Sequence, residues 1–406
     1  MLVECHREID GRKATGVDKV TKEEYGRNLE TNISRLLEQM KWNTYKPQPV
    51  LRKYIPKPGT EKKRPLGIPG YEDKLVQMPI AKILNAIWEE EFLDCSYGFR
   101  PNHNCHDALK ALSSTIEKQS INYIVDADIR GFFDHVDHEW MIRFLAHRIA
   151  DPNMLRLITR FLKAGVMEGG IIYDTPEGTP QGGIISPKLA NIYLHYVLDL
   201  WFEKVVKKQS RGAAYLIRYA DDFICCFQYE DDAKKYYQRL IERLRKFNLE
   251  IATEKTRLIA FGRKASNISG KRKPATFDFL GFTHYCGKSP KYGTFVVMRK
   301  TSKKKYKTSL LKCKEWVRNN RHTQINELIK RLRQKLIGYY HYYGVTGNYL
   351  MLERFRHQVY KIIFKWLNRR SQRKSFNWSE FWTFQKRYPL PIPKIHVHFY
   401  GQCQAI

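Results

Sequence analysis

Two adjacent aspartates interrupt an apolar segment of this 406-residue chain, and no other feature restricts its fold as tightly. The segment, YLIRYADDFICCFQY at 215–229, has aromatic and apolar residues on both sides of Asp221 and Asp222. Such runs favour strands, so the pattern predicts a β-hairpin with the two acids at its turn. Carboxylates among apolar residues are costly to bury unless cations pair with them. The segment therefore predicts metal ligation, with a solvated turn as the alternative.

A second apolar strand offers a further carboxylate for the same site. The sequence INYIVDAD at 121–128 predicts a buried strand, in which alternation places Asp126 and Asp128 on one face. Mg²⁺ prefers oxygen ligands, and nucleotidyl transfer uses two Mg²⁺ ions held about 3.5–4 Å apart by carboxylates. Either acid could complete such a site with Asp221 and Asp222, and alternation alone does not choose between them.

The charge of the chain indicates what kind of partner it has. There are 72 Lys and Arg against 41 Asp and Glu, and the net charge of +31 favours a polyanion such as nucleic acid. Between Lys288 and Lys374 the chain has 24 basic residues and three acids, interleaved with aromatics such as YYHYY at 339–343. Helices of this composition can follow a phosphate backbone. The alternatives are solvated basic faces and, for the tyrosines, packing in a core.

Several protein classes are disfavoured by the same sequence. No run of 18 apolar residues exists, so no membrane span is expected, and the N-terminal MLVECHREIDGRK lacks the apolar segment of a secretory signal. The eight cysteines form no C-x-x-C pair, which argues against a zinc knuckle or a zinc-held nuclease module. The length predicts two or three domains. We expect a soluble intracellular protein with free thiols.

Six blocks of sequence resemble, in order, those of group II intron-encoded reverse transcriptases, the maturases. The blocks are RPLGIP (64–69), SYGFRP (96–101), DIRGFFD (128–134), GTPQGG (178–183) followed by SP (186–187), YADD (219–222) and FLGF (279–282). The resemblance covers roughly residues 14 to 375, which is nearly the whole chain. Because no paired-cysteine module follows, the chain resembles the bacterial type that lacks the zinc-bearing endonuclease domain.

The resemblance chooses between the two strand acids. In the family block the metal-binding acid lies five residues before the second aromatic, here Phe133, so the match selects Asp128 over Asp126. It implies two Mg²⁺ ions held by Asp128, Asp221 and Asp222. It also places Phe133 under the sugar of the incoming nucleotide, where a bulky ring would collide with a 2′-hydroxyl. The alternative is that the two phenylalanines of this block are core residues.

The resemblance also implies the residues that bind nucleotide and RNA. Lys57 and Arg64 would grip the triphosphate, as cationic donors suit phosphate oxygens, although a solvated basic turn is the alternative. Gln181 matches the loop near nucleotide and template. Lys255 matches a lysine near the nucleotide phosphates and is a candidate general acid or a surface lysine. RNA binding is expected of five basic residues in the C-terminal region: Arg331, Arg333, Lys335, Arg369 and Arg370.

The family implies a fold class and a division of the chain. We expect an α+β right-hand polymerase, with fingers and palm followed by a helical, basic thumb/maturase domain. The expected domains are an N-terminal extension at 1–44, reverse transcriptase fingers and palm at 45–285, a thumb/maturase RNA-binding domain at 286–380 and a C-terminal tail at 381–406. Related proteins carry more residues before the position of Gly16, so a shortened N-terminus is expected.

The implied function is RNA-directed DNA synthesis for a group II intron, with help in splicing and mobility of the intron RNA. The expected partners are the intron RNA, an RNA template with a DNA primer, target DNA and dNTP, with no membrane. A bacterial cytoplasmic protein is expected, associated with the nucleoid when bound to DNA. The alternatives are a splicing-only RNA-binding maturase and a non-intron bacterial reverse transcriptase from a retron, a diversity-generating element or a defence system.

Overall fold

One helix of this chain belongs to two structural units. The computed structural model describes residues 1–56, 63–265, 274–289, 292–373 and 375–399. The first unit comprises Met1–Ala111 and Ser120–Ile259, and the second comprises Leu112–Gln119 with the described residues from Ala260 onward. A single helix, Cys105–Lys118, therefore contributes its first half to the first unit and its second half to the second unit.

The first unit mixes helices and strands. Its helices are α1 (Leu2–Glu8), α2 (Lys22–Arg27), α3 (Leu29–Lys41), α4 (Tyr71–Trp88), α5 (Cys105–Lys118, shared), α6 (His138–Ala146), α7 (Pro152–Leu162), α8 (Ser186–Leu194), α9 (Lys207–Gln209) and α10 (Glu230–Lys246). Its strands are β1 (Val50–Pro56), β2 (Lys63–Ile68), β3 (Tyr123–Asp128), β4 (Val166–Glu168), β5 (Ile171–Tyr173), β6 (Ala214–Tyr219), β7 (Asp222–Phe227) and β8 (Arg257–Ala260).

These strands form two sheets of four strands each. One sheet has the order β6-β7-β3-β8, and the other has the order β2-β1-β4-β5. Strand β7 pairs antiparallel with β6 and with β3, while β1 pairs antiparallel with β2 and parallel with β4. Strands β6 and β7 form the hairpin predicted at 215–229, which places the acid pair at one end of the first sheet. Strands β1 and β2 form another, here called the basic hairpin.

Helix α4 shows how apolar spacing builds the core behind that sheet. Val76, Ile80 and Leu84 recur every four residues along this helix and are buried. Pro79 lies inside the helix and does not end it. Val125 of β3 belongs to the same buried cluster. Because burying one such side chain contributes about 1.5–3 kcal/mol, this core holds the strand that ends in Asp128 firmly in place.

A helical run after the GTPQGG loop contains two unusual turns. Helix α8 continues through the π-helical segments His195–Asp199 and Phe202–Val206 before α9. A π turn widens the helix by one residue and is frequent near functional sites. Asp199, the last residue of the first segment, is fully buried. A buried carboxylate needs a cation or several donors, and Arg218 of β6 provides both.

The second unit consists of a small sheet and long helices. Its strands are β9 (Phe277–Phe279), β10 (Phe282–Lys288) and β11 (Phe295–Thr301), in the order β11-β10-β9. Its helices are the second half of α5, α12 (Lys303–Asn319), α13 (Ile325–Tyr343), α14 (Tyr349–Leu367) and α15 (Trp378–Arg387). The predicted helical character of the C-terminal region is confirmed. Within the described ranges, no helix has both the length and the apolarity to cross a membrane.

Side chains of α5 complete the small sheet of this unit. The carboxylate of Glu117 accepts a hydrogen bond from the amide of Val297 at 2.7 Å. The hydroxyl of Ser113 accepts one from the guanidinium of Arg299, which is fully buried. The tyrosine cluster at 339–343 contributes Tyr340 and Tyr343 to the buried core, so packing explains those two rings.

The C-terminal tail expected from 381 onward begins inside a helix. Helix α15 runs to Arg387 and so crosses the predicted boundary. Asn377 and Glu380 form a capping box that starts this helix. Prolines cannot continue a helix, but Pro389 and the prolines after it follow α15 and do not disturb it.

Candidate active site

The end of the first sheet brings two carboxylates face to face. Asp128 is the last residue of β3 and Asp222 the first of β7, and the two are direct partners in the antiparallel register. Tyr219 pairs with Asp222 from the other side, which leaves Asp221 in the turn. Directly opposite residues have Cβ atoms about 4.5–5.5 Å apart. Three acids therefore share one end of this sheet.

The surroundings of Asp221 disfavour the ionised form of its carboxyl group. Burial raises the pKa of its carboxyl group, and the negative charge of Asp128 raises that pKa further. A backbone hydrogen bond and the charges of Arg64 and Arg218 act in the opposite direction. Close carboxylates repel one another, so a cation among them would favour the ionised form of each.

Lys255 supplies a cation at this site in the structure. Its ammonium group forms an ion pair with the carboxylate of Asp128, and that hydrogen bond raises the pKa of Lys255 against the opposing effect of burial. The lysine side chain is 63% exposed, so the pair contributes at most about 1 kcal/mol. Among the residues that the structure describes, no three His, Cys, Asp or Glu side chains form a group that could hold a metal ion.

Asp126, the other candidate on β3, has a different partner. It lies opposite Ile224, two residues from the end of the strand, and pairs with Arg257 of β8 at 3.0 Å. Asp126 and Asp128 do share a face of the strand, as alternation predicts, since Val125 and Ala127 between and beside them are buried. The register brings Asp128, and not Asp126, to the end where Asp222 lies.

The turn of the acid hairpin is held by the SYGFRP block. Ala220 adopts a left-handed conformation with φ +57°, which is uncommon for a residue with a side chain. The amide of Tyr97 donates to the carbonyl of Arg218 at 2.9 Å, and the Arg218 amide donates to the carbonyl of Cys95 at 2.7 Å. Gly98 lies so close that a Cβ there would be 2.3 Å from the nitrogen of Ala220. Only glycine fits this approach.

A fully buried arginine also supports this turn through hydrogen bonds. The guanidinium of Arg218 donates two hydrogen bonds to the carboxylate of Asp199, at 2.7 and 2.5 Å. Its other N–H groups donate to the carbonyl of Ala220 at 2.9 Å, to Asn191 Oδ1 at 3.0 Å and to Ser96 Oγ at 2.6 Å. A guanidinium has five donors, so all of them are used. This group is absent from the predictions made from sequence, although a charged residue inside an apolar strand is a signal for it.

Phe133 and Gln181 line one cavity of about 230 Å³ in the first unit. The carbonyl of Phe133 accepts from the amide of Thr179 at 2.7 Å, and that of Gln181 accepts from the amide of Gly67 at 2.7 Å. These bonds join the GTPQGG loop to the DIRGFFD block and to the β1-β2 hairpin. Phe132 is buried in the core, while Phe133 is only partly buried. Part of the Phe133 ring is therefore exposed in this cavity.

The basic hairpin carries an arginine whose positive charge acts on the acids. Arg64 is exposed on β2, opposite Ile55 of β1, and its charge lowers the pKa of Asp221. Lys57 lies outside the described residues, so its predicted role stays a prediction.

The predicted RNA-binding residues lie on or just after helices of the second unit: Arg331, Arg333, Lys335, Arg369 and Arg370. Arg331 is exposed and pairs with Glu327 at 2.6 Å. Arg333 donates to the carbonyl of Pro389 at 3.0 Å. The Lys335 ammonium is 5.1 Å from the centroid of an indole ring of α12. Two of these three side chains therefore already have hydrogen-bond partners in the unit.

The remaining two arginines follow α14. The guanidinium of Arg369 lies 5.6 Å from the ring centroid of Trp366, and its side chain is exposed. Arg370 donates to the carbonyl of Thr323 at 3.0 Å and is partly buried, which lowers the pKa of its guanidinium. Arg369 is therefore accessible, whereas Arg370 helps to hold the fold.

Two regions of the chain match known families. Residues 55–284, more than half of the chain, match the family described as reverse transcriptase (RNA-dependent DNA polymerase). Residues 297–388 match the group II intron, maturase-specific domain. The predicted α+β class with a helical C-terminal region is confirmed.

Individual relatives agree with these matches. The group II intron-encoded protein LtrA of Lactococcus lactis subsp. cremoris is 47% identical over 175 residues, which are 42% of this chain and 29% of that protein. Protein YkfC of Escherichia coli (strain K12) is 32% identical over 242 residues, 53% of this chain and 63% of that protein. The chain thus spans between about a third and two thirds of the length of these relatives.

A solved structure is also similar. An apo telomerase from Candida tropicalis, truncated from its C-terminal domain, aligns with a TM-score of 0.45 and 14% identity over 61% of this chain and 56% of that chain. The family match over residues 55–284 carries the assignment without it. This chain belongs to the reverse transcriptase family, and its C-terminal region carries a group II intron maturase-specific domain.

Proposed function

We propose that this chain is the RNA-directed DNA polymerase of a group II intron, which adds dNTPs to a primer on an RNA template. The observation that supports this most is the direct pairing of Asp128 with Asp222 beside Asp221, on a turn held by buried groups. We also propose that it assists splicing and mobility of its intron RNA. The maturase-specific match at 297–388 favours the intron type over other bacterial reverse transcriptases.

We propose that the three acids hold the catalytic metal after their side chains move together, since they do not form a metal-holding group among the described residues while Lys255 pairs with Asp128. Members of the family generally use divalent metal ions, and carboxylate oxygens are the donors that a hard divalent cation prefers. Asp128, Asp221 and Asp222 are proposed to hold two Mg²⁺ ions, which when bound stabilise charge on the attacking and leaving oxygens. Lys255 must then leave the carboxylate of Asp128, and its charge becomes available to the phosphates of the nucleotide.

The surrounding residues are proposed to bind the nucleotide. Arg64 and Lys57 would contact the triphosphate, and Gln181 would contact nucleotide and template from the loop that bonds to the basic hairpin. Phe133 would lie under the sugar, because its ring is partly exposed and lines a cavity. Lys255 would donate a proton or a charge-assisted hydrogen bond to the leaving phosphates.

The proposed domains follow the two family matches. Residues 45–285 would form fingers and palm, and 286–380 the thumb and RNA-binding maturase region, with 1–44 as an N-terminal extension. The proposed partners are group II intron RNA, an RNA template with its DNA primer, target DNA and dNTP. We propose a bacterial cytoplasmic location, on the nucleoid when the chain is bound to DNA.

Primer extension tests the polymerase proposal. A DNA primer on an RNA template is extended with Mg²⁺ by the parent chain and by Asp222→Asn. Loss of a metal-holding carboxylate removes several kcal/mol of stabilisation, so we expect a loss of roughly a hundredfold or more. Asp126→Asn is the matched control, since it removes an acid from the same face of the same strand and should keep most activity.

Two outcomes would contradict parts of the proposal. Equal extension by the parent and by Asp222→Asn would overturn the assignment of the site. A parent without extension activity, together with intron splicing that survives Asp222→Asn, would favour a splicing-only maturase. Splicing is therefore measured for the same variants on a cognate intron transcript.

A further inference from the structure

Two tryptophans of α15 are exposed in a way that packing does not explain. Trp378 is 54% exposed and Trp382 is 63% exposed, whereas Phe381 and Phe384 of the same helix are buried. Residues four apart lie on one face of a helix, one turn above the other. Trp378 and Trp382, here called the tryptophan ledge, therefore form one aromatic face next to the buried face of α15.

One of these rings already takes part in a parallel stack. Trp378 lies on Phe364 of α14, with ring centroids 3.9 Å apart and an interplanar angle of 14°. Since Phe364 covers one face of the indole, the exposed area of Trp378 belongs to its opposite face and its edges. The ledge thus offers exposed indole surface, and the stack on Phe364 fixes the orientation of the Trp378 ring, which another planar ring can extend.

The surroundings of the ledge are strongly basic. Residues 361–387 contain eight Lys and Arg and a single acid, Glu380. The carboxylate of Glu380 accepts a hydrogen bond from the amide of Asn377 at 2.7 Å, so it caps the helix. Lys361 and Lys365 are exposed three residues before and one residue after Phe364 in α14, and Lys386 is exposed one turn after Trp382. Positive charge therefore lies close to the ledge along both helices.

We propose that the tryptophan ledge is a stacking site for unpaired bases of RNA. Bases stack on aromatic side chains regardless of sequence, and basic residues beside such rings hold the backbone of a single strand. A duplex would not offer its base faces to the ledge. The inference rests on the proposed RNA-binding function of this unit and adds to it the class of substrate, which is single-stranded nucleotides.

The ledge complements the arginines predicted from sequence. Arg333 and Arg370 donate hydrogen bonds to carbonyl groups of the unit, so they are partly committed to its structure. The ledge residues have open ring surfaces instead. Lysines near the ledge would supply affinity that depends on salt, whereas stacking would supply affinity that depends little on salt.

Binding of the full chain to a short unstructured RNA, and to the same strand annealed to its complement, tests the proposal. Stacking of one base accounts for a change of roughly five- to hundredfold in affinity, so Trp382→Ala should weaken single-strand binding by that factor. Duplex binding and the salt dependence should stay unchanged. Trp382→Phe should keep most of the affinity, and Trp382→Leu, which is apolar without a ring, should not.

Trp42→Ala is the matched control, because Trp42 is 73% exposed and has the ammonium of Lys41 5.9 Å from its ring, but lies in α3's C-terminal cap. It should leave single-strand binding intact. Photocrosslinking with a thio-substituted uridine RNA gives a second measurement, since the crosslinked peptide should contain 378–387. Thermal unfolding should be the same for all variants at these exposed positions.

The outcomes separate the inference from the function on which it rests. A parent chain that binds neither RNA would refute the proposed RNA-binding function itself. A parent that binds, with Trp382→Ala binding equally and crosslinks elsewhere, would overturn the ledge alone. RNA binding that Trp382→Leu retains in full would show that an apolar contact and not ring stacking is responsible, and ledge-dependent binding to anionic lipid vesicles without an effect on RNA would indicate a membrane surface. Both would also overturn the ledge.

Discussion

The buried ion pair beneath the acid hairpin makes a quantitative prediction. Arg218 and Asp199 are both 0% exposed, and the guanidinium donates two bonds to the carboxylate. Burial opposes the charge of Arg218, but the attraction of Asp199 and their hydrogen bonds keep the pKa of the arginine raised. Asp199→Ala would leave this cation buried with neutral acceptors only, including the carbonyl of Ala220.

The expected loss of stability in Asp199→Ala follows from removing the counter-charge of a buried cation. Removing one partner of a buried pair costs about 3–5 kcal/mol, because the other charge stays buried without compensation. Glu203→Ala is the matched control, since Glu203 pairs with Lys207 at 2.7 Å on the same helical run but both side chains are more than 40% exposed. An exposed pair contributes about 0–1 kcal/mol. We expect the two variants to differ by at least about 2 kcal/mol.

Urea unfolding with hydrogen exchange of the β6 and β7 amides measures this difference within the first unit. A chain of two units need not unfold in one step, so a signal local to these strands is required. The double variant Arg218→Met, Asp199→Leu should lose less stability than Asp199→Ala, as apolar replacement removes both charges. A loss for Asp199→Ala as small as that for Glu203→Ala would refute the argument that an uncompensated charge is buried there.

Three further predictions concern single positions. Gly98→Ala should lower primer extension and destabilise the first unit by about 1–3 kcal/mol in urea, because its Cβ would meet the backbone of Ala220; unchanged values would show that the turn can move. His284 is fully buried against Phe277, and burial lowers its pKa to about 3. Stability of the second unit should therefore be complete above the unfolded pKa of about 6.5 and fall by roughly 1.4 kcal/mol per pH unit below it, a slope that His284→Phe should abolish in unfolding at several pH values. Phe133→Val should raise incorporation of rNTP relative to dNTP by roughly tenfold or more in single-nucleotide extension, and an unchanged ratio would remove Phe133 from the sugar site.

The parts that sequence predicts correctly have local signals. The hairpin around Asp221 and Asp222 follows from apolar runs on both sides of a polar pair, and α4 follows from the spacing of its apolar residues. Both patterns depend on neighbours within a few residues. The sequence does not predict helix α15, because the prolines that follow it dominate the composition of that region.

The parts that sequence leaves open depend on contacts between distant residues. Asp126 and Asp128 have the same alternation, and only the pairing of β3 with β7 and β8 gives one of them Asp222 and the other Arg257 as neighbours. The partner of Arg218 lies on a π turn, and no local pattern predicts where such a turn places its carboxylate. Register and helix irregularities must be observed, since they result from the packing of the whole unit.

The division of helix α5 between the two units has a consequence for how such proteins can be recombined. Ser113 and Glu117 belong to the second unit, where they bind Arg299 and the amide of Val297. A fragment that begins after Ile259 would lack both side chains and therefore part of the packing of the second unit. The second unit cannot be moved to another protein as one continuous segment, because both of its separate stretches of sequence would have to be transferred together.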